Sequence, residues 1–138
     1  MAQRLERFLE AQRPVYAQAL AELQAGAKRS HWMWFIFPQV AGLGRSPTAR
    51  LYAIADAVEA GAYLIHDLLG ARLRECTGAI LGWAGRKSAE AVLGPVDALK
   101  FVSSMTLFDA VAEDDDLFAC ALAAFNNGER DPLTLERL

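Results

Sequence analysis

Apolar residues recur every three or four positions along most of this chain, which is the pattern of amphipathic helices. Leu5, Phe8 and Leu9 begin the pattern. A second predicted helix starts near Pro14 and ends near Gly26, a residue suited to a helix C-terminus. No segment alternates apolar and polar residues between hairpin turns, so a sheet has little support. The pattern predicts an all-α protein.

Start and stop signals divide the rest of the chain into further helices. Ser46-Pro47 is an N-cap and first-turn pair, and its helix is predicted to carry Leu51 and continue to Val58. The remaining predicted helices start at Asp67, which is expected to cap its helix, and at Ser88, Asp97, Leu117 and Asp131. The first four of these helices end near Trp83, Gly94, Ala112 and Phe125. With 138 residues and no linker, residues 1–138 are expected to form a single domain.

The segment His31–Pro38, with the sequence HWMWFIFP, is the exception to this pattern. A brief apolar run fits a buried strand as well as a short helix, and both interpretations stay open. Pro38 disfavours helix at Phe37, and Ser30 is available as a cap. Helical spacing predicts that eight apolar residues are largely buried: Trp34, Phe35, Leu51, Leu73, Ile80, Val102, Met105 and Phe125.

Composition narrows the class of protein. Hydrophobic residues make up 54% of the chain and the net charge is -3, so a packed core is expected and nonspecific affinity for nucleic acid is not. The longest stretch without Asp, Glu, Lys or Arg, residues 30–44, is too short to span a bilayer, so no membrane association is expected. Cys76 and Cys120 lack metal-site spacing and are predicted to be buried, reduced thiols, which favours a cytoplasmic location.

Several blocks of sequence carry a family resemblance: HWMWFIFPQ at 31–39, GLGRSPTARLYAI at 42–54, EAGAYLIHDLLGARL at 59–73, DALKFVSSMTLF at 97–108 and TLERL at 134–138. With these blocks the chain resembles the domain-of-unknown-function 1810 family of small, mainly helical microbial proteins. The resemblance implies a compact helical fold of its own type and no established activity. The family usually has proline after the histidine, whereas this chain has His66-Asp67. Some members are labelled calpastatin, but that inhibitor is disordered and repetitive, and this composition is neither.

Charge is unevenly distributed along the chain. Residues 23–55 contain no Asp or Glu but hold Lys28, Arg29, Arg45 and Arg50, so this segment carries +4 and the remainder -7. Positive potential in this segment favours an anionic ligand.

The acid-free segment contains a candidate anion-binding turn, residues 42–46. Gly42 and Gly44 permit close backbone approach, free amides at a helix start attract anions, and Arg45 can form a bidentate contact with phosphate or carboxylate. The turn matches neither a Walker loop nor a dinucleotide fingerprint. The alternative is that the glycines only turn the chain and Ser46 only caps the helix.

A second candidate is a polar stripe, formed by Asp97, Lys100, Ser103 and Ser104 on one side of an otherwise apolar predicted helix. Such a stripe either faces water or lines a pocket. Serine beside lysine resembles Ser-Lys nucleophilic pairs, but the order is opposite to SxxK and no oxyanion hole is identifiable. Whether the protein is an enzyme stays open.

Other conspicuous residues have simpler interpretations. Histidine is a residue type suited to acid–base chemistry, so His31 is a candidate, and Trp34 belongs to an aromatic cluster that stacks on a ligand or forms core. His31 and His66 have no carboxylate at ligand spacing, so no metal is expected, and no cofactor is predicted. The acidic residues 113–116 are best explained by the helix start at Leu117.

Two functions therefore compete. One is binding of a small anionic ligand near the 42–46 turn, with His31, Trp34, Lys100, Ser103 and Ser104 as further lining residues. The other is a noncatalytic structural or protein-interaction module. The two differ in whether the turn and the polar stripe share one concavity.

Overall fold

The computed structural model describes residues 4–113 and 115–138, and in these ranges the chain forms α-helices and no strand. In chain order the helices are α1 (Glu6–Gln12), α2 (Tyr16–Ala25), α3 (Met33–Ile36), α4 (Pro47–Leu51), α5 (Ala57–Ile65), α6 (Asp67–Leu81), α7 (Ala89–Leu93), α8 (Pro95–Val111), α9 (Leu117–Asn126) and α10 (Pro132–Leu135). An isolated parallel bridge joins Val40 to Ile54. The all-α prediction is confirmed.

Local signals account for several helix ends. The Ser46 hydroxyl accepts a hydrogen bond from the Ala49 amide at the start of α4, and the Ser88 hydroxyl accepts one from the Ala91 amide at the start of α7. Gly26 ends α2 with a φ of 71°, a left-handed conformation that favours glycine. Short polar side chains and glycine therefore bound these helices as the sequence predicts.

The single helix predicted from Ser46 to Val58 is wrong, because the chain leaves the helix after Leu51. The Ile54 amide donates to the Gln39 carbonyl at 2.9 Å, and the Ile54 carbonyl accepts from the Ala41 amide at 2.7 Å. These bonds use the groups that a continuous helix would need. Asp56 then starts α5 afresh, since its Oδ1 accepts a hydrogen bond from the Glu59 amide.

The cap of α6 is His66 rather than the predicted Asp67. His66 Nδ1 accepts hydrogen bonds from the Leu68 and Leu69 amides, both at 3.2 Å. An accepting Nδ1 must be unprotonated, so the neutral imidazole is the capping form. Asp67 is the first residue of the helix, where a carboxylate interacts favourably with the dipole.

Aromatic residues from several helices form the centre of the core. Phe8, Trp32, Phe37, Tyr63, Phe101, Phe108 and Phe118 are buried. Edge-to-face contacts join Phe8 to Tyr63 and Phe37 to Phe101, with ring centroids 5.1 and 5.0 Å apart. Within the 31–38 segment, residues Met33–Ile36 form the short helix α3, so the helical interpretation of this segment is the correct one.

The eight residues predicted to be largely buried differ in their exposure. Phe35, Leu73, Ile80 and Met105 are buried as predicted. Leu51 is 47% exposed, because α4 ends at this residue and the expected helical face does not continue. The remaining three are half-buried against the core: Trp34, Val102 and Phe125.

The two cysteines differ in environment. Cys76 is fully buried, and burial raises the pKa of its thiol to about 12, consistent with an inert side chain. Cys120 is exposed, so its predicted burial is wrong. It lies on the outer side of α9, next to the buried Ala121. Both thiols are free.

None of the helices in the described part of the chain combines the length and apolar character needed to cross a membrane.

Candidate functional site

A groove of about 570 Å³ runs along the first half of α8, between the connection from α9 to α10 and the segment that follows α3. Gly44 lines it from that segment, and Lys100 and Ser103 line it from α8. We call this concavity the Lys100 groove. The 42–46 turn and the polar stripe thus each contribute to one concavity, through these three residues.

The walls of the Lys100 groove are largely apolar. Val96, Leu99 and Leu133 line it and are 65%, 72% and 58% exposed. Leu43 and Val102 line it as well and are half-buried. Exposed aliphatic side chains gathered around a concavity are typical of a surface that another molecule covers.

Lys100, a cation in the groove lining, shares its carboxylate partner with another lysine. Its Nζ lies 3.8 Å from Asp97 Oδ1 and 5.3 Å from the centroid of the Trp34 ring. The same carboxylate holds Lys28, whose Nζ lies 2.9 Å from Asp97 Oδ2. One carboxylate therefore serves two ammonium groups, and the nearer of these is Lys28. Lys100 retains positive charge that Asp97 does not balance.

Ser103 lines the groove but is engaged by the fold. Its Oγ donates to Asp131 Oδ2 at 2.9 Å, and Thr134 Oγ1 donates to the same oxygen at 2.6 Å. The Asp131 amide donates back to Thr106 Oγ1 on α8. This network fastens α10 to α8. The Ser103 hydroxyl faces a carboxylate rather than Lys100, so the geometry gives no support to a Ser-Lys nucleophile.

Ser104, the other serine of the stripe, is fully buried and does not line the groove. Its Oγ has no hydrogen-bond partner among residues 4–113 and 115–138.

The rest of the predicted anion-binding turn is dispersed. Arg45 and Ser46 are exposed and do not line the Lys100 groove, and Ser46 caps α4. Gly42 faces a different concavity, of about 530 Å³, in which it lies against the Arg137 guanidinium. Gly44 packs closely on α4, since a Cβ there would lie 2.5 Å from the Ala49 Cβ. The turn is therefore not one continuous site.

His31 and Trp34 also lie outside the groove lining. His31 is exposed. Trp34 is half-buried, provides the ring beneath Lys100, and borders a small gap of about 10 Å³ that shares Gln39 and Gly44 with the groove. Trp34 therefore acts on the groove through Lys100.

Comparison with known proteins places the sequence in a family. A family model described as "Protein of unknown function (DUF1810)" matches residues 2–138. The chain belongs to the DUF1810 family. The fold is similar to the crystal structure of the conserved hypothetical protein Rv1873 from Mycobacterium tuberculosis, which is 48% identical. The match covers 99% of this chain and 96% of that chain, with a TM-score of 0.95. No curated protein matches the sequence.

In this DUF1810 protein a buried carboxylate organises the segment before α3, which sequence reasoning missed. Glu22 Oε1 accepts hydrogen bonds from the Arg29 amide at 2.8 Å, the Ser30 amide at 3.0 Å and Trp32 Nε1 at 2.9 Å. Its Oε2 accepts from Ser30 Oγ at 2.6 Å. We call residues 27–32, held in this way, the Glu22 loop. Burial acts to raise the pKa of Glu22, but these hydrogen bonds outweigh it and lower the pKa to about 2.

The Glu22 loop presents Lys28 to Asp97. The Lys28 amide donates to the Val92 carbonyl at 2.8 Å, and its Nζ lies 5.1 Å from the centroid of the Trp32 ring. The Lys28 side chain is only 9% exposed. One of the four cations of the acid-free segment is therefore an internal partner of Asp97, while Arg29, Arg45 and Arg50 are exposed.

Of the acidic residues 113–116, Asp115 supports the start of α9. Asp115 Oδ1 accepts from the Leu117 amide, and its Oδ2 pairs with Arg74 Nε at 2.8 Å. Asp114 lies outside the described residues. Across residues 4–113 and 115–138, no three His, Cys, Asp or Glu side chains come together as a metal site.

Proposed function

We propose that this DUF1810 protein binds a small anionic ligand in the Lys100 groove, with the Lys100 ammonium holding the negative charge. The observation that carries the proposal is the placement of Gly44, Lys100 and Ser103 around one concavity. A volume of about 570 Å³ is within the range of small-molecule sites.

The electrostatics support Lys100 as the binding group. Its nearest carboxylate is shared with Lys28, so an incoming anion meets a cation that the fold has left underneutralised. The Trp34 ring keeps the ammonium in place without supplying a negative charge. The proposal moves the centre of the expected site from Arg45 to Lys100, because Arg45 does not line the groove.

The proposal is one of binding rather than catalysis. The Ser103 hydroxyl donates to Asp131, whose carboxylate also accepts from Thr134 and fastens α10 to α8, so this hydroxyl is engaged by the fold. Lys100 is an electrostatic anchor in this arrangement.

Titration of the protein with phosphate, acetate and octanoate, followed through the NMR resonances of the backbone amides, tests the proposal. We expect at least one of these anions to shift resonances around Gly44 and Lys100. Lys100→Gln should weaken its binding by about tenfold or more, because a charge-assisted contact contributes roughly 1.5–3 kcal/mol. Arg45→Gln is the matched control and should bind like the wild type. Loss of binding in Arg45→Gln but not in Lys100→Gln would contradict the proposal, as would the absence of any shift at millimolar anion.

The exposed side chains of Val96, Leu99 and Leu133 also favour a second candidate, a protein-interaction module that uses the same groove. This candidate predicts no response to small anions. It also predicts that Leu99→Asp abolishes association with a protein partner while the circular dichroism spectrum is unchanged.

We also propose a cytoplasmic location, which the two free thiols of Cys76 and Cys120 support. Cell fractionation with an antibody to the chain tests this. Recovery in a secreted or periplasmic fraction would contradict it.

A further inference from the structure

The ligand class follows from what lines the Lys100 groove, granted the proposed function. Val96, Leu99 and Leu133 are more than half exposed, and Pro132 continues the apolar wall. An inorganic anion at Lys100 would leave these side chains in water. A ligand with an aliphatic body would cover them, and the burial of apolar surface is favourable.

The anionic groups of the groove limit the charge of the ligand. Glu129 and Asp131 both line it, and Asp131 already accepts hydrogen bonds from Ser103 and Thr134. Arg130, the other cation of the lining, is paired with Asp109 at 2.6 Å. A ligand with several negative charges would place some of them near these carboxylates, which repel them. A single anionic group at Lys100 avoids this repulsion.

The strength of the Lys100 contact depends on a residue that does not line the groove. Lys28 holds Asp97 at 2.9 Å, while Lys100 lies 3.8 Å from the other oxygen of that carboxylate. If Lys28 lost its charge, Asp97 would be free to neutralise Lys100. If Asp97 lost its charge, Lys100 would attract an anion more strongly.

We infer that the ligand is an amphipathic monocarboxylate, with its carboxylate on Lys100 and its aliphatic body along Val96, Leu99 and Leu133, and that Lys28 is a positioning residue for this contact. The Glu22 loop, which presents Lys28, thereby acts on ligand affinity through Asp97.

Titrations with octanoate, acetate, phosphate and octylamine test the ligand class, with octanoate kept below its micellar concentration. Octanoate should bind at least tenfold more tightly than acetate, which lacks the body, and than octylamine, which carries the opposite charge. Equal binding of acetate or phosphate would overturn the inference and leave the proposed function standing. Equal binding of octylamine would overturn the role of the Lys100 charge, in this inference and in the proposed function alike. No binding by any probe, phosphate included, would overturn both.

Two charge variants test the positioning role, with octanoate affinity as the readout. Lys28→Met frees Asp97 to pair with Lys100 and should weaken binding about two- to fivefold, the range for a partly exposed pair such as Asp97–Lys100, and Lys28→Arg should restore it. Asp97→Asn should tighten binding by a similar factor, a direction that a merely structural role does not produce. Circular dichroism checks that each variant is folded.

A double variant keeps the test decisive if either single variant unfolds. Lys28→Met with Asp97→Asn removes both charges together and leaves Lys100 above Trp34. It should bind octanoate at least as tightly as the wild type. Weaker binding by the folded double variant would overturn the positioning role.

Discussion

The Glu22 loop and the Lys100 groove meet through Lys28 and Asp97, yet charge is used differently in the two regions. The Glu22 carboxylate receives hydrogen bonds from backbone amides, a hydroxyl and an indole, all inside the fold. Lys100 shares a carboxylate that Lys28 already holds more closely, beside aliphatic side chains left in water. A polar group satisfied within the fold maintains the structure, whereas a charge left underneutralised at a concavity is available to a ligand.

The largest expected effect is on the loop. Glu22→Ala should lower the free energy of unfolding by about 3 kcal/mol, because it leaves buried donors, including Trp32 Nε1, without their acceptor. Urea denaturation measures this. Glu10→Ala, at an exposed carboxylate on α1, is the control and should change the free energy by less than about 0.5 kcal/mol. Equal effects from the two substitutions would remove the distinction between the regions.

Acid should weaken the Glu22 loop. The pKa of Glu22 is lowered from 4.5 to about 2, so its contribution to stability is present above pH 4.5 and is lost as pH falls towards 2. Burial opposes the shift, but hydrogen bonds and charge also lower the pKa of Glu59, beside Arg7, and of Asp115, beside Arg74. Both carboxylates therefore also contribute stability that is lost as the pH falls. Urea denaturation between pH 6 and pH 3 should show falling stability. The fall should be shallower in Glu22→Gln, and an unchanged slope would contradict this assignment.

A smaller effect is expected within the groove itself. Ser103→Ala removes the hydrogen bond to Asp131 and should lower the free energy of unfolding by about 1 kcal/mol. Octanoate affinity should be nearly unchanged, because this hydroxyl is engaged by the fold. Chemical denaturation and ligand titration of the same variant give both values. A large loss of affinity with no loss of stability would place Ser103 in the binding machinery.

Lys100→Gln should have the smallest effect on stability. Its ion pair with Asp97 is long and the side chain is partly exposed, so the free energy of unfolding should change by less than about 0.5 kcal/mol. Thermal unfolding without ligand is the measurement. A loss comparable to that of Glu22→Ala would show that Lys100 serves the fold.

The contrast between the regions also explains what could be predicted from the sequence. Ser46 and Ser88 accept hydrogen bonds from amides three residues away, and Gly26 ends α2 through its own backbone conformation, so these signals are local and can be read from the sequence. The break after Leu51 depends on Ile54 bonding to the 39–41 segment, and this pairing is visible only in the folded chain.

The candidate site was harder to predict for the same reason. Lys100 and Ser103 stood out as polar residues on an apolar helix, but the exposure of Val96, Leu99 and Leu133 depends on how α10 packs beside α8. The pairing of Lys28 with Asp97 joins distant parts of the chain, so the acid-free segment suggested more free positive charge than the fold leaves. Arg45 drew attention through its neighbours in sequence, while the groove forms elsewhere.

A crystal structure of the protein grown with octanoate tests the central claim most directly. We expect the carboxylate within hydrogen-bond distance of Lys100 Nζ and the aliphatic chain against Val96, Leu99 and Leu133. A ligand bound at Arg45, or one lying in the groove with its carboxylate turned away from Lys100, would contradict it.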